Sequence, residues 1–323
     1  MKEMELSPEV LKQLERLQKK YAETGQDLAS YLEGLYHTDY LTYWDYIHLD
    51  TLLSLQNPKT DLPDEEIFIM YHQITELYFK LALHEMKQLS AKEDCTKAFF
   101  INRLQRINRY FEALTKSFEV MTSGMSREQF LQFRLALQPA SGFQSAQYRM
   151  IEILSTDFIR LVSKKRRAEF EGKEAPIEVL YQHMYWKEGA NETKTGKKAY
   201  TVVQFDEKYS GEFIKLGKAH RNNNIWQKYL SLPADNQKDE KVINQLREFD
   251  INVNVNWPLM HLKSAVRYLI KKPDAVPATG GTNWQEYLPP HFQKRIFYPQ
   301  LWSDREQDEW GKKWVESVIN EVV

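Results

Sequence analysis

The stretch Asp64-Glu-Glu-Ile67-Phe-Ile-Met-Tyr-His72-Gln-Ile-Thr-Glu76-Leu-Tyr-Phe-Lys80 decides the fold class. Three acids open it, where the partial positive charge of a helix N-terminus favours them. Apolar side chains then fall on nearly every face of a 3.6-residue repeat, which predicts a long helix buried among others. No Gly or Pro occurs between Pro63 and Gly124.

Working outward, helical spacing recurs along the chain. Ser7 caps a stretch to about Tyr21 with Val10, Leu11, Leu14 and Leu17 on one face. Leu28–Leu35 and Tyr43–Leu55 follow, the second stopped at Asn57-Pro58. Further helices are expected over Lys97–Met121, from Ser126 (where Ser126-Arg-Glu-Gln129 has capping-box spacing) to Pro139, over Ser141–Arg167, and over about 207–231 and 239–271. Ala190–Lys198 and Pro273–Thr282 read as loops, and a helical tail carries Trp310 and Trp314. Strand alternation and internal repeats are absent. The expectation is an all-α protein: a single helical-bundle domain of about ten to twelve helices over residues 37–323, with a variable insert near 170–235 and an N-terminal helical extension over 1–36.

Bulk properties exclude several classes. Asp and Glu total 45 against 44 Lys and Arg, so no global field draws nucleic acid or an anionic membrane. Cys95 is the single cysteine, which rules out an internal disulfide and every multi-cysteine zinc or iron–sulfur site. No apolar run is long enough to span a bilayer, and the opening Met1-Lys-Glu-Met-Glu-Leu-Ser lacks the core of a signal peptide. A cytoplasmic protein is expected. The 8 Trp, 18 Tyr and 16 Phe suit bulky helical packing or a pocket for a flat ligand.

Four constellations can carry chemistry. Phe68, His72 and Glu76 share one face of the long helix. A histidine there either bonds a backbone carbonyl within the core or faces a cavity. Arg134, between Phe133 and Leu135, either pairs with a buried acid or clamps a carboxylate ligand with its planar fork. Trp257, His261, Ser264, Ala265 and Tyr268 share a face, with small residues one turn past the histidine that leave room for a flat macrocycle. Ala278-Thr-Gly-Gly-Thr282 can wrap the polar end of a small ligand or is simply a loop; it matches no nucleotide motif.

Taken in order, these stretches resemble the motif series of the tryptophan 2,3-dioxygenase family. Tyr43-x-x-Tyr46-Ile-x-Leu-Asp50-x-Leu-Leu-Ser54-x-Gln56-x-Pro58 is similar to its N-terminal signature. Asp64-Glu65-x-x-Phe68-x-x-x-His72-Gln73-x-x-Glu76 is similar to its distal helix. Phe133-Arg134 with Pro139-Ala-Ser-Gly-Phe-Gln-Ser-x-Gln147-x-Arg149, then Trp257-x-x-x-His261, Arg267, Thr279-Gly-Gly281 and Phe297-Tyr-Pro-x-Leu301, complete the set. Three positions depart from it: the loop reads Ala278-Thr-Gly-Gly-Thr-Asn-Trp284, Pro63 stands where a histidine is usual, and Pro258 is unusual.

The resemblance implies a homotetramer of helical subunits, each holding haem b, active in the ferrous state. It implies His261 as proximal iron ligand and His72 as the distal residue that receives the indole N–H. Arg134 would clamp the substrate carboxylate and Thr279 would contact the amino-acid head group. Phe68, Phe130 and Tyr148 would line the pocket, with Tyr43, Tyr46 and Ile47 supplied by a neighbouring subunit. The implied reaction opens the indole ring of L-tryptophan, or of a close indole amino acid, with O2 to give N-formylkynurenine; the cofactor carries the hard step. Two alternatives stand beside it, a haem oxygenase acting on a modified tryptophan and a haem-binding sensor without turnover.

Overall fold

A computed structural model describes residues 6–22, 27–37, 42–137, 144–189, 200–271, 274–275, 290 and 294–312 of the chain. The described residues are mostly helical, in keeping with the all-α expectation. Strand pairing among them is limited to Ile270–Lys271 against Asp274–Ala275, antiparallel with Ile270 opposite Ala275, and a single bridge between Val162 and Met184.

Contacts divide the chain into two compact units, Met1–Leu55 and Gln56–Val323. The first holds α1 (Pro8–Ala22), α2 (Leu28–Tyr36), α3 (Tyr43–Tyr46) and α4 (Leu49–Leu53). Asp27 starts α2 by accepting a hydrogen bond from Ser30 N at 2.9 Å. The stretch Tyr43–Leu55, expected as one helix, is two, because His48 adopts a left-handed φ of 53° between them. None of these four helices has a buried residue, and Leu35, Tyr43, Trp44 and Tyr46 are exposed.

The second unit is built on α5 (Pro63–Ala91). Pro63 sits in its first turn, where a missing N–H leaves no bond unmade. Its core face, with Tyr71, Phe79, Ala82, Met86 and Leu89 buried, packs on α6 (Lys97–Ser117) and α9 (Ala146–Ser155). The buried Glu85 carboxylate receives Arg103 at 2.6 Å and Arg106 at 3.2 Å, which ties α5 to α6. The burial expected on all sides is not complete. Met70, Ile74, Leu77 and Leu81 are 39%, 45%, 49% and 44% exposed, a stripe at heptad spacing that the described residues leave uncovered.

Several of the remaining helices are shorter than their periodicity predicts. Phe118 separates α6 from α7 (Glu119–Thr122), and α8 (Arg127–Phe133) ends ahead of Pro139, which lies outside the described residues. Thr156 (φ −148°) ends α9, so Ser141–Arg167 divides, with α10 (Lys164–Phe170) beyond the break. The insert region holds α11 (Ile177–Gln182), α12 (Tyr185–Gly189), α13 (Tyr200–Ala219) and α14 (Ile225–Leu230). There Asn224 accepts from Gln227 N at 3.0 Å and starts α14, which splits the expected 207–231 helix. Beyond α15 (Ala234–Gln237), the 239–271 stretch is continuously helical from Glu240 to Leu269, as α16 (Glu240–Ile251), a π turn over Asn252–Asn256 and α17 (Trp257–Leu269), and ends in the strand Ile270–Lys271. The π turn lies immediately ahead of Pro258, whose missing N–H an ordinary α register would leave as a gap.

Asp250, fully buried on α16, docks the chain after the Pro273–Thr282 region, itself largely outside the described residues. Its carboxylate accepts from Phe297 N at 3.0 Å, Tyr298 N at 3.2 Å, Trp302 Nε1 at 3.1 Å and Asn254 Nδ2 at 2.7 Å. Burial nevertheless pushes its pKa up to about 6. Asp250→Ala strips these buried donors of their acceptor, at about 1–3 kcal/mol for each left unmet, so urea unfolding should show a loss of about 3 kcal/mol or more. Because the native carboxyl holds its proton more tightly than the unfolded one, its contribution shrinks as pH rises through about 6. The wild-type advantage over Asp250→Ala should thus be larger at about pH 5 than at about pH 7.

Candidate active site

The long helix presents Phe68, His72 and Glu76 on one face, as their spacing requires. His72 Nδ1 lies 2.7 Å from the carbonyl of Phe68, one turn earlier. A carbonyl oxygen only accepts, so Nδ1 carries the proton and Nε2 keeps its lone pair. On α17 the arrangement repeats: His261 Nδ1 donates to Trp257 O at 3.0 Å, which again leaves Nε2 as the basic atom. Both readings of a core histidine hold together here, since each ring bonds a carbonyl and still has a nitrogen to offer.

Burial lowers the pKa of His72, against the opposing pull of the Phe68 carbonyl and Glu76. It lowers that of His261 to about 4, and the charge of His72 adds to the effect. Both rings are therefore neutral at pH 7. His72 retains accessible surface and His261 is half-buried, yet dense protein desolvates both.

Aromatic rings join the two histidines. Tyr71 meets His72 at 6.5 Å and Phe118 at 5.7 Å, and Phe118 meets His261 at 4.9 Å. Trp257 stands edge-on to His261 at 4.7 Å. On the His72 side, Phe68 lies 4.1 Å from the imidazole and 6.2 Å from Phe130, and Phe130 lies 4.7 Å from Tyr268. Helices α5, α8 and α17 thus supply one aromatic wall. Arg134, at the C-terminal end of α8, is buried, and burial pulls its pKa down.

Tyr148 is placed in the packed layer. Its ring lies 5.5 Å from Phe79, and its hydroxyl donates to Val253 O at 2.9 Å within the buried polar group of Arg149, Glu152, Tyr185 and Arg295. Thr279 and the rest of the Ala278–Trp284 loop lie outside the described residues. Tyr43, Tyr46 and Ile47 belong to the N-terminal unit, Tyr43 and Tyr46 at 70% and 71% exposure.

Sequence reasoning did not single out Phe118, because it continues the Phe111 and Leu114 face of α6 at helical spacing and so reads as core. It also missed Asp64, Gln129 and Gln147, whose bonds run between helices far apart in the chain: Gln147 Nε2 donates to Glu76 O and Oε2, each at 2.8 Å. A separate open groove of about 670 Å³ runs over Gln144, Gln204, Phe205, Glu207, Lys208 and Tyr209. None of the site residues lines it.

A family profile for tryptophan 2,3-dioxygenase matches residues 33–183. The tryptophan 2,3-dioxygenase of Ruegeria sp. (strain TM1040) is 44% identical over 115 residues, 35% of this chain and 41% of that protein. That of Ruegeria pomeroyi is 30% identical over 274 residues, 81% of this chain and 91% of the relative. That of Bacillus thuringiensis subsp. konkukian is 30% identical over 284 residues, 83% and 94%. With a family profile over residues 33–183 and relatives 30% identical over more than four fifths of its length, the chain belongs to the tryptophan 2,3-dioxygenase family.

Proposed function

We propose that this chain is a haem-dependent dioxygenase that opens the indole ring of L-tryptophan with O2 to give N-formylkynurenine. The observation that carries the reading is the matched pair of histidines. Each is held through Nδ1 by a carbonyl one turn back, each is kept neutral by desolvation, and each has Nε2 as its remaining basic atom.

The residues fit a haem. A neutral imidazole whose Nδ1–H is fixed by a carbonyl is the usual form of an iron ligand, and the carbonyl sets both tautomer and ring orientation. His261 has that form, and Ser264 and Ala265 leave space one turn on. Bound ferrous haem supplies the activation of O2, which no side chain here can perform. The chain does the rest. His72 Nε2 accepts the indole N–H, and Phe68 and Phe130 hold the flat ring between aromatic faces and keep water out. Arg134 meets the substrate carboxylate through its bidentate fork, in a setting where burial strengthens the contact. In this reading Thr279 contacts the amino-acid head group and Tyr148 forms the packed floor.

Assembly as a homotetramer belongs to the same reading. The uncovered α5 stripe and the exposed aromatic residues of the N-terminal unit support it, since a lone chain gains nothing by leaving them in water. Tyr43, Tyr46 and Ile47 would then complete a neighbour's pocket.

Replacing His261 with Ala should abolish stoichiometric haem binding, whereas His72→Ala should keep it; iron analysis and the Soret band of each variant check this. Full haem retention by His261→Ala would overturn the ligand assignment. Arg134→Leu should weaken tryptophan binding at least tenfold, since a buried charge-assisted pair is worth about 2–5 kcal/mol. Haem content should not change, and tryptamine, which lacks the carboxylate, should bind both forms alike. Under isotopically labelled O2, mass spectrometry of the product should find both oxygen atoms labelled; a single labelled atom would mark a monooxygenase instead.

A further inference from the structure

Ser126-Arg-Glu-Gln129 has the spacing of a capping box, in which Gln129 would reach back to the N–H of Ser126. Only half of that box forms. Ser126 Oγ accepts from Gln129 N at 3.5 Å, but the N–H of Ser126 donates at 2.6 Å to the carboxylate of Asp64, at the start of α5. The Gln129 side chain goes the other way, and its Oε1 accepts from Asp64 N at 3.1 Å. The two helix starts therefore cap each other, across 62 and 65 residues of chain.

The exchange has a geometric consequence. The seven residues of α8 make too few turns to be stable alone, so its position depends on what holds it. At its N-terminal end the Asp64–Ser126–Gln129 bonds supply two polar ties to α5. Its middle rests on Phe68 and Tyr268 through Phe130, and Arg134 lies at its C-terminal end. Two converging bonds fix an offset and an angle that apolar packing alone leaves free to slide.

We propose that Asp64 and Gln129 are positioning residues for substrate recognition, whose reciprocal caps register α8 against α5. Arg134 is thereby held at the distance from His72 that separates the carboxylate of an indole amino acid from its ring N–H. The inference rests on the roles proposed above for Arg134 and His72. Both positioning side chains act through the helices they join and touch no reacting atom.

Calorimetric binding of L-tryptophan and of tryptamine to the haem-loaded protein tests it, for wild type, Asp64→Ala, Gln129→Ala and Asp64→Asn. Wild type should prefer tryptophan. Asp64→Ala should narrow that preference by about tenfold, the order expected when a recognition group is displaced by a fraction of an ångström. The change should come through weaker tryptophan binding with tryptamine unaltered, while the Soret band and cooperative melting persist. Asp64→Asn keeps an oxygen for the Ser126 N–H and should restore most of the preference. Gln129→Ala, which removes one tie and leaves the α5 terminus intact, should narrow the preference in the same direction and decides the matter should Asp64→Ala not fold. The inference is overturned if the variants keep the wild-type preference, or if both ligands weaken in equal proportion, as general loosening would produce. A wild type that binds both amines equally overturns the Arg134 reading and this inference with it, whereas retained preference in the variants overturns this inference alone.

Discussion

A helix of twenty-nine residues that is apolar on most of its circumference has to find a partner for every face, and α5 sets the plan of the larger unit for that reason. One face is taken by α6 and α9, with Phe79, Ala82 and Met86 closed into the core. A second carries Phe68, His72 and Glu76. The third, Met70 to Leu81, is left partly exposed by the described residues. Core, site and uncovered stripe are thus three sides of one element, and a change in its tilt would be felt by all three.

Two imidazoles share one protonation pattern. In a helix the carbonyl of residue i−4 lies close to the side chain of residue i, so His72 and His261 find an acceptor for Nδ1–H without any remote residue. Desolvation then keeps both rings neutral, and the same local geometry leaves Nε2 basic on each. Surroundings divide their roles: His261 stands against Trp257 and Phe118 beside small residues, whereas His72 stands against Phe68 near Phe130.

Buried carboxylates brace this frame. Glu85 joins α5 to α6, Glu152 gathers Arg149 and Arg295, and Asp250 holds the segment around Phe297–Trp302. Glu65, fully buried, accepts from Lys59 N and Thr60 N at 2.8 Å each and turns the preceding loop onto α5; burial opposes its ionisation, yet these bonds hold its pKa below the ordinary value. Each is a charge taken out of water and matched by several donors, an arrangement that costs more to break than apolar contact and tolerates less drift.

Periodicity, caps and breakers were legible in the sequence because they are local: the span of α5, the start of α8 at Ser126, the continuous helical run from Glu240 to Leu269, and the faces that carry Phe68, His72 and His261. The ordered motifs identified the family for the same reason, as each is a short run whose spacing survives without the fold. What the sequence by itself could not determine depends on groups brought together from afar. It predicted a complete capping box at Ser126, whereas the fold hands half of it to Asp64. It predicted burial around the whole of α5, whereas packing left one stripe open. It left each histidine between core and cavity; the protonation of each ring is set by tertiary packing, because desolvation is a property of everything that surrounds a ring and not of its neighbours in the chain.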